Sequence, residues 1–170
     1  MSQTLVHIGL VNPKSPSNVG SVMRAAGCFQ ADAVFYTGQR YARAARFNTD
    51  TKNQSLNIPL SGVDSLVAQV TPDMQIVCVE LVEGAIALPE FTHPEKALYI
   101  FGPEDGSLSQ TVVDQADSVV YIPSQACLNL AATVNVLLYD RQTKLAQGLA
   151  GDPLIRKSRD VNNRLKAKSQ

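Results

Sequence analysis

Three stretches of the chain carry residues whose types and spacing can do chemistry. The first is NPKSPSNVGSVMRAAGCF (12–29), where two prolines and a run of amide and hydroxyl side chains give way to Gly20 and then one lone charge, Arg24. The second is FGPEDGSLS (101–109), with two glycines, a proline and the adjacent carboxylates Glu104 and Asp105. The third is IPSQACLNLAAT (122–133), a proline turn leading to Asn129 among apolar neighbours. Together they offer a planar guanidinium fork that matches phosphate, carboxylate acceptors, and an amide that both donates and accepts. Each also has a plainer reading. Gly-Pro-Glu-Asp-Gly makes a good turn, Asn129 a good helix cap, and Arg24 can snorkel from a helix edge.

Other chemistries find little support. Neither GxGxxG nor GxxxxGK[ST] occurs, so the standard dinucleotide and triphosphate loops are absent. Cys28, Cys78 and Cys127 lie far apart among apolar residues with no CxxC spacing, which reads as three reduced thiols. Of the two histidines, His7 falls in an expected strand and His93 in a proline-flanked loop. Neither has a second histidine at ligand spacing, so no metal site is expected. No Cys or Ser has a histidine partner in a loop for nucleophilic catalysis.

The elements that must position these loops follow from the hydrophobic pattern. The runs 5–11, 33–38, 75–81, 97–102 and 118–123 are short, rich in β-branched or aromatic residues, and closed by Gly or Pro in most cases. They read as buried strands. Between them, Ser17 is expected to cap a helix through Cys28, Ser61 one through about Val70, and Ser109 one through about Ala116. The longest helical pattern starts near Asn129 and runs through LAATVNVLLYDRQTKLA. Continuous apolar strands separated by helices predict an α/β fold, a mostly parallel sheet covered on both faces. In such sheets ligands gather where strands hand over to helices, which is where the three stretches fall.

With 170 residues, 45% hydrophobic and 18% charged, the chain reads as one globular domain (1–150) followed by a basic tail (151–170). A short helix is expected near Asp160–Lys168. The first residues show no signal-peptide pattern and no run is long enough to span a membrane, so a cytoplasmic protein without a membrane partner is expected. Fifteen basic and fifteen acidic residues cancel, which argues against binding nucleic acid through bulk charge alone. The placement is uneven, however. The tail carries six basic residues against Asp152 and Asp160, and RYARAARF repeats arginine at Arg40, Arg43 and Arg46. Both segments read either as solvated faces or as a phosphate-binding rim on a neutral body.

The three stretches, in this order, resemble the three signature motifs of the SpoU/TrmH family of RNA methyltransferases, within the SPOUT class. Asn18-Val19-Gly20-Ser21-Val22-Met23-Arg24 matches the first motif and Phe101-Gly102-Pro103-Glu104-Asp105-Gly106-Ser107-Leu108 the second. Ile122-Pro123 followed by Cys127-Leu128-Asn129-Leu130-Ala131-Ala132 matches the third, and the resemblance covers about residues 5 to 145. It implies a C-terminal trefoil knot, which no periodicity shows. It also implies S-adenosylmethionine as cofactor, a homodimer whose RNA site is assembled from both subunits, and methyl transfer to a ribose 2′-hydroxyl of tRNA or rRNA. A catalytically silent SPOUT fold that binds RNA as an assembly factor is the alternative.

By the same resemblance the cofactor is held around Glu80, Leu81, Gly102, Ile122, Cys127 and Leu128, mostly by main chain. Arg24 grips the target phosphate or ribose, since a guanidinium stays protonated at neutral pH and makes a poor base. Asn129 orients substrate or arginine, Glu104 pairs with Arg24 or Asn18, and Asn18 either takes part or only closes its loop. RNA contacts fall to Arg40, Arg43, Arg46 and the tail. One departure stands out: Cys127 replaces the serine common in the family, and a thiol is the weaker hydrogen-bond donor.

Overall fold

The computed structural model describes residues 4–46, 57–145 and 150–168. Its strands are β1 (Leu5–Leu10), β2 (Ala33–Tyr36), β3 (Leu60–Gly62), β4 (Gln75–Val79), β5 (Ile86–Ala87), β6 (Lys96–Phe101) and β7 (Ser118–Tyr121). Its α-helices are α1 (Pro16–Cys28), α2 (Arg40–Ala45), α3 (Gln110–Asp114), α4 (Leu130–Lys144) and α5 (Asp152–Ser158). The strands form one sheet in the order β3-β2-β1-β6-β4-β7-β5, and every pair is parallel. No described helix is long and apolar enough to cross a membrane.

The five expected strands are all present, and the reason is burial on both faces. β6 lies between β1 and β4, with Leu5 opposite Lys96 and Leu10 opposite Phe101 on one side. Residues 97–101 of β6 are buried without a break. Alternation divides them: Tyr99 and Phe101 join the core under α1 and α4, whereas Leu98 and Ile100 join Leu66, Met74, Ile76 and Leu108 on the other face.

Three expectations are corrected. Helix α1 is capped by Ser15, whose Oγ accepts from the Asn18 amide, and not by Ser17, because Pro16 has the fixed φ that suits a first helical residue. The stretch from Ser61 to Val70 is not an α-helix. Its start is recruited into the sheet as β3, with Gly62 opposite Tyr36, and only a 3-10 turn at Val67–Gln69 remains. In the tail, the helix is α5, where Asp152 and Pro153 supply a first turn. Residues 160–168 instead turn locally: the Asp160 side chain accepts from the Asn162 amide and its carbonyl from the Asn163 amide, and the Asn163 side chain accepts from the Leu165 amide.

The long helix α4 runs as expected and is fastened near its C-terminal end by a polar network that periodicity does not reveal. His93 sits fully buried between Tyr99 (Nδ1 to the hydroxyl, 2.7 Å) and Asp140 (Nε2 to Oδ2, 2.8 Å). Arg141, also buried, donates to the Pro94 and Glu95 carbonyls and to the Tyr99 hydroxyl. Lys144 donates to the Leu88 and Phe91 carbonyls and pairs with Asp140 at 2.8 Å. Burial lowers the His93 pKa despite Asp140, and pushes the Tyr99 hydroxyl up to about 12. His93 is therefore a neutral structural residue, and α4 cannot slide without unpairing several buried groups.

Candidate active site

The C-terminal ends of β4, β6 and β7 open into a cleft of about 260 Å³. Its wall comes from residues 79–81, 101–104 and 121–122, from the third stretch, and from Asn18 of α1 and Thr133 of α4. Nine of the residues singled out in the sequence line it: Asn18, Glu80, Leu81, Gly102, Glu104, Ile122, Cys127, Leu128 and Asn129. The three stretches, 12–29, 101–109 and 122–133, thus meet at one place.

Glu104 closes the first stretch onto the second. Its Oε2 accepts from the Lys14 amide at 2.9 Å, and its Oε1 from the Ser15 amide at 3.1 Å and from Asn18 Nδ2 at 3.3 Å. Of the two expected partners, Asn18 is the one it meets. Burial raises the Glu104 carboxyl, but these hydrogen bonds and one from its own amide outweigh it, and the pKa lies below the ordinary glutamate value. At neutral pH Glu104 is a carboxylate that fixes geometry by accepting, with no proton to give.

Glu80 spans the cleft wall from the end of β4. Its Oε1 accepts from the Leu81 amide at 2.9 Å and its Oε2 from the Leu108 amide at 3.0 Å. Gly102 is the residue that permits this approach: a Cβ there would stand 3.2 Å from Glu80 Oε2 and 3.3 Å from the Leu108 nitrogen. Both oxygens retain acceptor sites in a residue that lines the cleft.

In the third stretch Asn129 is the N-cap of α4, its Oδ1 accepting from the Ala132 amide at 2.8 Å. Capping uses the oxygen alone, and Nδ2 has no acceptor among the described residues. Ser124 Oγ bonds the Ile122 and Ala126 carbonyls, curling the loop, while the amides of Cys127 and Leu128 donate to nothing among the described residues. Unpaired amides at the mouth of a helix are ready donors for a ligand. Both Cys28 and Cys127 are exposed and free, and only Cys78 is buried, its thiol pushed up to about 11 by burial.

The arginines are placed elsewhere. Arg24 is exposed on the stripe of α1 that also carries Ser17, Ser21 and Cys28. It is not among the residues lining the cleft and has no hydrogen bond or ion pair among the described residues. Arg40 is engaged with Asp105 and the Asn12 carbonyl. Arg43 bonds Gln39 at 2.8 Å, and Arg46 is exposed just after α2. Sequence reasoning missed Tyr121 and Thr133 in the cleft and the Arg40–Asp105 pair. Thr133 had a signal, since it follows Asn129 by one helical turn, and its Oγ1 donates to the Asn129 carbonyl at 2.9 Å.

A parallel sheet with a glycine-backed, main-chain-rich cleft outside its strand ends defines an α/β protein whose crevice lies where sheets of this kind bind small ligands. The chain belongs to the SpoU rRNA Methylase family, whose model matches residues 5–139. No curated protein matches it significantly in sequence. Among solved structures it shares its fold with an rRNA methyltransferase from Sinorhizobium meliloti (18% identity, TM-score 0.70, 85% of this chain and 58% of that one). It is likewise similar to the SpoU methyltransferase AviRb from Streptomyces viridochromogenes, solved with AdoMet (22% identity, TM-score 0.67, 86% and 60%). A third, solved to explain 2-OH methylation of C/U34 on tRNA, gives 21% identity and TM-score 0.69 over 85% of this chain and 93% of that one. The chain therefore spans about three fifths of the first two.

Proposed function

We propose that this protein is an S-adenosylmethionine-dependent methyltransferase acting on a ribose 2′-hydroxyl of tRNA or rRNA, as a cytoplasmic homodimer. The observation that carries the reading is the convergence of all three family motifs on one cleft. The residues present fit the cofactor: amides at Cys127 and Leu128 that have no partner among the described residues, Glu80 oxygens with acceptor sites to spare, and a glycine where the wall must stay thin. These, with the main chain at Leu81, Gly102 and Ile122, would hold the adenosyl group. When bound, the cofactor supplies an electrophilic methyl group, so the protein has only to bind, orient and relieve the nucleophile of its proton. The threading of the C-terminal part as a trefoil knot belongs to the same reading, supported by a sheet order in which β6 lies between β1 and β4.

Arg24 grips the target phosphate with its guanidinium fork, aligning the 2′-hydroxyl, whose proton passes to a phosphate oxygen or water. Its position on the outer stripe of α1 favours action in the cleft of a second copy. The apolar surface beside it, with Val136 and Tyr139 of α4 exposed and Tyr139 edge-on to Phe29, favours the same pairing. Asn129 Nδ2 orients the substrate, and Asn18 with Glu104 keeps the first loop in register. Arg43, Arg46 and the basic tail meet flanking phosphates.

The test has two parts. Mapping 2′-O-methylated nucleotides in cells with and without the gene identifies the substrate, and one site should vanish. On that RNA, Arg24→Ala should fold and bind S-adenosylmethionine normally yet lose at least about a hundredfold in single-turnover rate, as expected when a reacting group is misplaced. Arg24→Lys should rescue little, having no planar fork. Unchanged methylation maps, or near-normal transfer by Arg24→Ala, would refute the reading, the first outcome leaving a silent RNA-binding fold.

A further inference from the structure

The two carboxylates of the second loop take hold of different elements. Glu104 faces the cleft and closes on the first stretch, whereas Asp105 reaches α2. Arg40, the first residue of α2, sends Nη1 and Nη2 to the two oxygens of Asp105 at 2.8 and 3.0 Å. The same guanidinium sends Nε and Nη2 to the Asn12 carbonyl at 3.2 and 2.6 Å. Asn12 lies just beyond β1 in left-handed backbone (φ 42°), and its amide donates to Thr37 Oγ1 at 3.2 Å. Its side chain fills the space that a Cβ on Gly38 (φ 76°) would need. One arginine therefore ties the ends of β1 and β2 to the loop that follows β6, and that loop walls the cleft through Gly102, Pro103, Glu104 and Gly106.

We propose that Arg40 and Asp105 are positioning residues of the cofactor cleft. Their pair holds the 102–108 loop at the distance from β4 at which Gly102 abuts Glu80 and the Leu108 amide meets Glu80 Oε2. Bidentate pairing carries direction as well as attraction, so it sets the tilt of the loop and not merely its proximity. Four hydrogen bonds from one guanidinium also leave Arg40 little capacity for an RNA phosphate, which separates it from Arg43 and Arg46. The identity of the ligand rests on the function proposed above; the holding of the loop does not.

The experiment uses the full chain with Asp105→Asn, Arg40→Lys, Arg40→Ala, Asp105→Ala and the double Arg40→Ala/Asp105→Ala. Two quantities are read well below the melting temperature: the S-adenosylmethionine Kd by calorimetry, and amide hydrogen exchange at Gly106 and Leu108 without ligand. Since the pair is partly exposed, each single change should weaken cofactor binding by roughly two- to five-fold and speed exchange at both amides by a similar factor. Arg40→Lys should not rescue, and the double should be no worse than the worse single, as for residues acting through one contact. A lowered melting temperature with Kd and exchange at wild-type values would make the pair merely structural and overturn the proposal. Loss of RNA affinity in Arg40→Ala, with cofactor affinity and exchange unchanged, would overturn it in favour of a direct RNA contact. If the wild type binds no S-adenosylmethionine, the functional reading fails, and exchange at Gly106 and Leu108 decides the positioning role alone.

Discussion

Gly102→Ala is the smallest change that probes the cleft wall. The added Cβ would lie 3.2 Å from Glu80 Oε2, 3.3 Å from the Leu108 nitrogen and 3.5 Å from the Ser107 carbonyl carbon. The first two atoms are the partners of one 3.0 Å hydrogen bond. Something must yield by a few tenths of an ångström, and the Glu80 side chain yields more readily than the Leu108 backbone. Weakening, without breaking, a charge-assisted bond whose full loss costs about 1.5–3 kcal/mol should cost about 1–1.5 kcal/mol here. For a chain of this size that lowers the melting temperature by about 3–5 °C. If the displaced carboxylate contacts the cofactor, the same energy weakens S-adenosylmethionine binding about tenfold. Thermal melts and calorimetry on Gly102→Ala, Glu80→Ala and the double give a cycle. With no carboxylate to crowd, the alanine at 102 should add little in the double, so the effects should be far from additive. Additive losses, or a Gly102→Ala protein with wild-type melting temperature, would refute this account of why the position is glycine, and a wild-type Kd would remove Glu80 from the cofactor's contacts.

Stability should fall in mild acid. His93 and His7 both have pKa values lowered by burial, so the unfolded chain takes up protons first as pH drops below the ordinary histidine value of about 6.5. Melting temperatures should hold steady above that point and decline beneath it, and a flat profile from pH 7 to 5.5 would contradict the buried neutral assignment. Deleting the chain after Asp152 should leave cofactor binding intact and weaken RNA binding, with the salt slope of log K falling by about one unit for each phosphate no longer neutralised. An unchanged slope relegates the tail to solubility. Sedimentation at micromolar concentration should give a dimer, and Tyr139→Asp, placing a charge on the exposed face of α4, should give monomers; a wild-type monomer would sink action of Arg24 across subunits.

What was legible in the sequence follows a physical line. Strands buried on both faces announce themselves as unbroken apolar runs, and β1, β2, β4, β6 and β7 all do so. The short outermost strands, Leu60–Gly62 and Ile86–Ala87, carry no such run, and β3 is masked by a segment with helical composition that the sheet recruits instead. Asn129 is readable both as a cap and as a site residue, and it is a cap whose amide nitrogen has no partner among the described residues. Side-chain partnerships between distant loops are not legible. Nothing in the sequence says that Arg40 meets Asp105, or that His93, Tyr99 and Asp140 align, because these depend on a register set by strands nearly a hundred residues apart. Arg24, singled out by its motif, stands outside the cleft for a local reason: helical periodicity puts it with Ser17, Ser21 and Cys28 on the stripe of α1 turned away from the buried Val19, Val22, Met23 and Ala26.

The position of β6 has a consequence for the chain as it is made. The first strand finds β2 early, but its other neighbour, residues 96–101, emerges some ninety residues later. At ordinary rates of translation that interval is about 5–20 s. Throughout it β1 presents an open flank bearing Val6, Ile8 and Leu10, and once made β4 presents another bearing Ile76 to Val79. Unpaired apolar flanks of this kind are templates for association between nascent chains. In the finished protein the only flanks left among the described residues are β3 and β5, three and two residues long. The exposure therefore belongs to the chain before its sheet is complete. β6 enters as a wedge that closes the facing flanks of β1 and β4. β7 then covers the other flank of β4 and leads into residues 122–133, which complete the cleft, so a copy able to take its ligand is one whose long strands are already paired.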